Sequence, residues 1–270
     1  WMADFAEWLP LDAEIAVGDA AAFHNRYPEV WQSLTRDVME ELRPDGDWLM
    51  FARSGWTGVQ SQAQVHWVGD QEADWSESDG LPTVVPAMIT LGLSGQPFAT
   101  HDIAGFSGGP STKELYLRWT ELGAFSPFMR THDGNEREEN HRWDADEDTT
   151  AHFSRMSRIH TALASERQDW AEEGESTGVP MVRHLLLEFP EDRETWQIHD
   201  QYLLGPDLLV APVLEQGSVE RTLYLPEGDW VHVWSGESTT GPQWITVNAP
   251  FGEPPVFSRS GDRPDLRAIE

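Results

Sequence analysis

Residues 1–10 read WMADFAEWLP: a short apolar run, Trp1–Ala3, that stops at a carboxylate, Asp4. The same phrase recurs down the first half of the chain. "DWLMFARSG" (47–55) stops at Arg53 and is closed by Gly55. "QVHWVGD" (64–70) stops at Asp70, "QPFATHDIAGF" (96–106) stops near Asp102, and "SPFMRTH" (126–132) stops at His132. Between these runs lie stretches with apolar residues at helical spacing: 20–42, 81–95, 112–125 and one long helix from about Asp148 to Glu173. Strand–helix repetition with nearly continuous apolar strands implies a parallel sheet. In a (β/α)8 barrel the strand ends share one rim, and active sites sit there. Five strands cannot close that barrel. The expectation is therefore the C-terminal part of a TIM barrel, about strands 4 to 8, with the N-terminal strands outside this chain. Such an open barrel is expected to be inactive alone, because its strand edges and apolar surface lack partners.

After residue 178 the pattern changes. "VPMVRHLLLEF" (179–189), "DLLVAPVL" (207–214), "RTLYLPEG" (221–228), "WVHVWSG" (230–236) and "QWITVNAP" (243–250) are short strands with Pro/Gly turns and mostly no helix between them. The reading is an α/β barrel part over 1–178 followed by an antiparallel β-sandwich domain over 179–270. The polar tail after Phe257 is expected to be loose.

Asp and Glu total 47 against 18 Lys and Arg, for a net charge of -29, and Lys113 is the one Lys. Such a surface suits strong salt, where the Debye length falls to about 3 Å at 1 M and self-repulsion is screened. An ordinary acidic protein from a GC-rich genome is the alternative. Either way the surface is a poor partner for nucleic acid or anionic membrane. The absence of Cys excludes disulfides and thiolate metal sites. No apolar run reaches the length of a membrane span, and a cytoplasmic location is favoured. Fourteen Trp against four Tyr fits a bulky core or a sugar-stacking pocket.

Asp4 and Asp70 are the pair with chemical promise. Retaining glycosidases need one ionised carboxylate as nucleophile and one carboxyl as acid, about 5–5.5 Å apart. The alternative is that both cap the helices that follow. Arg53 is suited to orient a carboxylate or to grip sugar hydroxyls, or to a structural ion pair. His132 suits a sugar hydroxyl, and Asp102 suits either a site or a glycine turn. The acidic stretch Asp144–Thr150 lacks the glycine and distal glutamate of an EF-hand and reads as a helix start. His152 and His160 lack a third ligand, so no metal is expected.

Taken in order, "WMADFAEWLP", "FARSGWTG", "HWVGDQ", "HDIAGF", "LRWTELGAFSPFMRTH" and "QYLLGPDLLVAPV" resemble glycoside hydrolase family 31 over nearly the whole chain. The wording of "MADF-x-E-LP" and "GDQ-x-x-DW" is similar to the sulfoquinovosidase branch, which cleaves α-glycosides of 6-sulfo-6-deoxyglucose. The resemblance implies Asp4 as nucleophile and Asp70 as general acid/base of a retaining exo-α-glycosidase that takes a small carbohydrate substrate, and it implies no cofactor. It implies that Arg53, Trp67, Asp102, Phe106 and His132 line the subsite of the cleaved sugar. Two positions depart from the branch. Phe106 stands where a Tyr helps hold the sulfonate through water, and "DIxGF" is also the wording of plain α-glucosidases. Ala6 stands where a Gly is usual. The Arg and Trp that read the sulfonate lie before the nucleophile strand, outside this chain. An α-glucosidase or α-xylosidase stays open as an alternative, as does an inactive carbohydrate-binding fragment.

Overall fold

The computed structural model describes all residues, Trp1–Glu270. The chain divides into two compact units, Trp1–Trp67 and Val68–Glu270.

In the first unit, strands β1 (Met2–Ala3), β4 (Phe51–Ala52) and β5 (Val65–Trp67) pair in parallel in that order. The register aligns Met2 with Phe51 and Phe51 with Val65. Ala3, Met50, Ala52 and Ala63 form a small buried core with Trp48 against it. A hairpin of β2 (Glu14–Ile15) and β3 (Gly18–Asp19) follows β1. The helix expected over 20–42 is interrupted. α1 (Ala20–Phe23) starts at Asp19, whose carboxylate accepts from Ala21 N at 3.0 Å. A 3-10 turn at His24–Arg26 then leads into α2 (Tyr27–Leu42), with Pro28 in its first turn. Pro28 carries no N–H, so the chain can tighten into the 3-10 turn ahead of it without losing a bond.

In the second unit, a 3-10 turn (Leu81–Thr83) leads into α3 (Val84–Leu93), and β6 (Ala99–Thr100) follows. α4 (Lys113–Ala124) is capped by Thr112, whose hydroxyl accepts from Leu115 N. The expected strand at 126–132 is reduced to one parallel bridge between Ile103 and Thr131. The single long helix expected after Asp148 is two: α5 (Glu147–Ala162) and α6 (Ala164–Thr177), broken at Leu163. No helix breaker marks that point in the sequence. Leu163, the residue between them, is fully buried.

The remaining strands form one antiparallel sheet in the order β11-β10-β12-β9-β8-β7. These are β7 (Val182–Arg183), β8 (Tyr202–Leu204), β9 (Leu208–Val210), β10 (Glu220–His232), β11 (Ser238–Asn248) and β12 (Val256–Ser258). "VPMVRHLLLEF" supplies only β7 before turning into a short helix, α7 (Leu185–Glu188). The strand expected over 221–228 and the start of that expected over 230–236 are one long strand, ending at His232, with a register shift between Leu225 and Gly228, where Pro226 cannot donate to a ladder; 233–235 form a turn. Alternation sorts the side chains. Tyr202, Leu204, Leu208 and Val210 join a core with Trp119, Phe125 and Met156. Leu203 and Leu209 face a second cluster with Leu223, Leu225, Trp230 and Phe257. The antiparallel sheet, covered on both faces, is consistent with a β-sandwich. The tail is not loose. α8 (Pro264–Arg267) buries Leu266, and Arg155 Nε donates to Ile269 O at 2.9 Å.

Candidate active site

Asp4 follows β1 and caps no helix; the cap of α1 is Asp19. Its Oδ1 accepts from Phe5 N at 2.8 Å and lies 3.2 Å from Arg53 Nη1. This contact depends on an unusual backbone. Phe5 and Ala6 have φ of +67° and +79°, in the left-handed region. For side chains other than Gly that region costs about 1–2 kcal/mol per residue. Ser54 Oγ donates to Phe5 O at 2.6 Å and helps hold the turn. The positive φ at position 6 gives a physical reason for the Gly usual there in the resembling branch.

Arg53 follows β4 and is engaged on several sides. Its Nε donates to Glu7 Oε1 at 2.5 Å and its Nη2 to Glu7 Oε2 at 3.0 Å, a bidentate fork. The guanidinium lies 4.7 Å from the Phe5 ring centroid and 5.2 Å from that of Trp8. Burial works to raise the Glu7 carboxyl, but the hydrogen bonds from Arg53, a backbone N–H and the Arg53 charge together outweigh it and hold Glu7 below the usual carboxylate range. Glu7 is a functional candidate that the sequence reading passed over. Its signal was available: it sits three residues after Asp4 in the same motif. Trp67, on β5, is buried and meets Phe51 edge to face at 5.6 Å. Its neighbour His66 has Nε2 3.1 Å from Ser54 O. A carbonyl only accepts, so the proton sits on Nε2, and burial keeps the ring below its usual pKa.

In the second unit, Asp70 also caps no helix, since the next helical turns start at Gly80 and Thr83. Its main chain is clamped. Ser107 Oγ donates to Asp70 O at 2.8 Å, and Phe106 N donates to Gln71 O at 2.8 Å. Gly105 (φ +79°) makes this approach possible: a Cβ there would lie 2.9 Å from Gln71 O. Asp102 is buried and paired with Arg130, and Ile103 N donates to Arg130 O at 3.0 Å. Asp102 O also accepts from Gly105 N at 3.1 Å, so Asp102 both forms the glycine turn and presents a charge. Arg130, two residues before His132, is the second candidate the sequence reading missed. Nothing in its local pattern marked it.

Phe106 and His132 meet edge to face at 5.1 Å. His132 Nδ1 accepts from Gly134 N at 2.9 Å, which leaves Nε2 as its other polar atom. Behind them, Trp119 Nε1 donates to His101 Nδ1 at 3.0 Å. His101 is fully buried; desolvation, and then the charge of Arg130, push it down to about 3. It is therefore neutral and fixed in one tautomer beside Asp102. The structure thus brings Arg53 onto Asp4 in one unit, and joins Phe106 to His132 and Arg130 to Asp102 in the other.

Outside this set, Asp146 caps α5, accepting from Thr149 N at 2.8 Å, and pairs with Lys113 at 2.9 Å. The acidic stretch there is a helix start. His152 and His160 bond the carbonyls of Leu117 and Ala124, and burial pushes both down to about 4.

Carboxylates, arginines and aromatic rings stand at or near the ends of parallel strands, the place where barrel enzymes keep their sites. The chain belongs to glycoside hydrolase family 31. Residues 6–165 match the family's TIM-barrel domain and residues 178–262 its C-terminal domain. It is 43% identical to a sulfoquinovosidase of Agrobacterium fabrum, over 96% of this chain and 40% of the relative. It is 30% identical to alpha-glucosidase 2 of Bacillus thermoamyloliquefaciens, over 88% of this chain and 30% of the relative. A family 31 sulfoquinovosidase from E. rectale, solved with the aza-sugar inhibitor IFGSQ, superposes with a TM-score of 0.95 at 36% identity. That match covers 99% of this chain and 41% of that one. The chain thus spans about two fifths of the length of the sulfoquinovosidases it matches.

Proposed function

We propose that the whole protein is a retaining exo-α-glycosidase acting on α-sulfoquinovosides. The observation that carries the chemistry is the Asp4 carboxylate at a strand end, held by Phe5 N–H and Arg53. The substrate class rests on the likeness to named sulfoquinovosidases. In the first step an Asp4 oxygen bonds to the anomeric carbon. The glycosidic C–O bond breaks, its electron pair stays on the leaving oxygen, and Asp70 gives that oxygen a proton. In the second step Asp70 takes a proton from water, whose oxygen attacks the anomeric carbon and releases Asp4. Asp102, Arg130 and His132 offer polar groups to the sugar and Phe106 a ring, while Trp67, about 1% exposed, supports the strand end from within the core instead of touching the sugar. The division between catalytic and β-domains is placed at 178/179, where Gly178 ends α6 and the strands of the antiparallel sheet begin.

One observation favours a second reading, a plain α-glucosidase: position 106 is a Phe, with no hydroxyl to offer a sulfonate. The full-length protein, assayed in high salt on the 4-nitrophenyl α-glycosides of sulfoquinovose and of glucose, separates the two. A pocket built for an anion rejects the neutral sugar by about 10⁴-fold, because its buried donors are left unpaired. Preference for glucose would sink the sulfoquinovoside reading. Turnover of neither would leave the carbohydrate-binding alternative standing.

A further inference from the structure

We infer that Glu7 is a positioning residue that acts through Arg53 to fix which oxygen of Asp4 attacks. The inference rests on Asp4 being the nucleophile.

The geometry is contained within the first unit. Both restraints on the Asp4 carboxylate converge on one atom. Phe5 N donates to Oδ1 at 2.8 Å, and Arg53 Nη1 stands 3.2 Å from the same Oδ1. Oδ2 makes neither contact. A carboxylate with one oxygen tied down is rotationally fixed about its last bond, and Oδ2 is the oxygen that bonds to the anomeric carbon. Oδ1 keeps two donors to hold the negative charge until the bond forms.

The fork of Arg53 sets that arrangement. Nε and Nη2 are committed to the two oxygens of Glu7, which fixes the plane of the guanidinium and sets its third nitrogen, Nη1, 3.2 Å from Asp4 Oδ1. A planar guanidinium gripped on one edge by a bidentate partner cannot swing. Phe5 and Trp8, whose rings are 5.4 Å apart, also pack against it from one side. The consecutive positive φ angles at Phe5 and Ala6 turn the chain so that Glu7, three residues on, reaches back to the arginine. Backbone strain of this kind persists where the surroundings over-determine it, and it gathers at functional sites. Arg53 is thereby a partner of the nucleophile, and Glu7 a partner of Arg53 that touches no substrate.

The test uses the full-length protein and 4-nitrophenyl α-glycosides, with active sites titrated. Glu7→Gln keeps the size of the side chain and one hydrogen bond to Arg53 but removes the charge that grips it. Misplacing a reacting group by about 1 Å costs about 100-fold in rate. The expected result is a kcat lower by about 100-fold with KM within about threefold of wild type. Labelling of Asp4 by a 5-fluoroglycosyl fluoride should slow in parallel, and Glu7→Asp, one methylene short of the fork, should give no rescue. A purely structural role would lower the melting temperature and leave kcat per titrated site unchanged, and that result overturns the inference. Arg53→Lys decides the question if Glu7→Gln fails to fold. A point-charge ammonium cannot hold two carboxylates in a fixed plane, so the same loss of kcat is expected, and retained kcat again overturns it. Asp4→Asn separates the two levels. If it stays active, the nucleophile assignment falls. If it is inactive while Glu7→Gln is unimpaired, only the role of Glu7 falls.

Discussion

Replacing Glu121 by Ala should destabilise the second unit by an amount the structure lets one work out. Glu121 lies on α4 and is about 1% exposed. Its Oε2 sits 2.9 Å from Arg118 Nη1, and its Oε1 accepts from Gly252 N at 2.6 Å. Arg118, equally buried, donates from Nη2 to the carbonyls of Ser218 (2.9 Å) and Ala249 (2.8 Å). One ion pair thereby ties α4 to the loops of the antiparallel sheet. Burial raises the Glu121 carboxyl to about 7, so the pair is fully charged only above that pH; there, truncating Glu121 leaves a buried guanidinium without its counter-charge, a loss of about 3–5 kcal/mol. It also orphans the Gly252 N–H, worth about 1–3 kcal/mol, although the two losses overlap. A total near 4 kcal/mol is expected, which corresponds to about 12 °C at roughly 3 °C per kcal/mol for a unit of this size. The assay is near-UV circular dichroism during thermal unfolding of the full-length protein in high salt. Arg118→Met combined with Glu121→Leu removes both charges and should recover most of the loss. A shift below about 3 °C for Glu121→Ala, or a double variant no better than the single one, would refute the reasoning. The outcome bears on the site as well. The neighbouring residue on α4, Trp119, holds His101 beside Asp102.

Two further outcomes are expected. Asp146 is drawn down to about 2, first by the Thr149 N–H and then by Lys113. A depressed carboxyl contributes stability above its ordinary pKa of 3.8 and loses it as pH falls through 2. Asp146→Asn, which keeps the cap oxygen without the charge, should therefore flatten the acid limb of a melting-temperature profile between pH 4 and pH 2; an unchanged limb counts against the cap and ion pair. Phe106→Tyr adds a hydroxyl to the ring that faces His132. It should raise the ratio of kcat/KM for the sulfoquinovoside over the glucoside by about tenfold, the worth of one hydrogen bond to a charged group. A ratio that stays level would remove Phe106 from the sugar's carbon-six side.

How much of this was legible in the residues differs between the two levels. The repeated phrase of an apolar run ending in a polar residue placed β1, β4, β5 and β6, and with them Asp4, Arg53, Asp70 and Asp102, because strand ends are local events. The order of motifs along the chain carried the family. Cap chemistry at Asp146 was equally local. The break at Leu163, the bridge that replaces a strand at Thr131, and the fusion of 221–232 into one bent strand were not legible. The bridge and the long strand depend on pairing partners elsewhere in the chain, and the break at Leu163 carries no local breaker.

Composition and spacing by themselves determined an acidic, cysteine-free chain with the strand-end residues of a barrel site and a β-rich second half. Only the tertiary structure decided who holds whom. Glu7 forks Arg53, Arg130 pairs with Asp102, Trp119 fixes His101, and the tail docks through Leu266 and Arg155. The physical reason is separation along the chain. Arg53 and Glu7 are 46 positions apart, and Arg155 and Ile269 are 114 apart. Periodicity and capping report on neighbours within a turn or two, whereas a salt bridge between distant residues exists only once packing has brought their carbon stems side by side and removed the water between them.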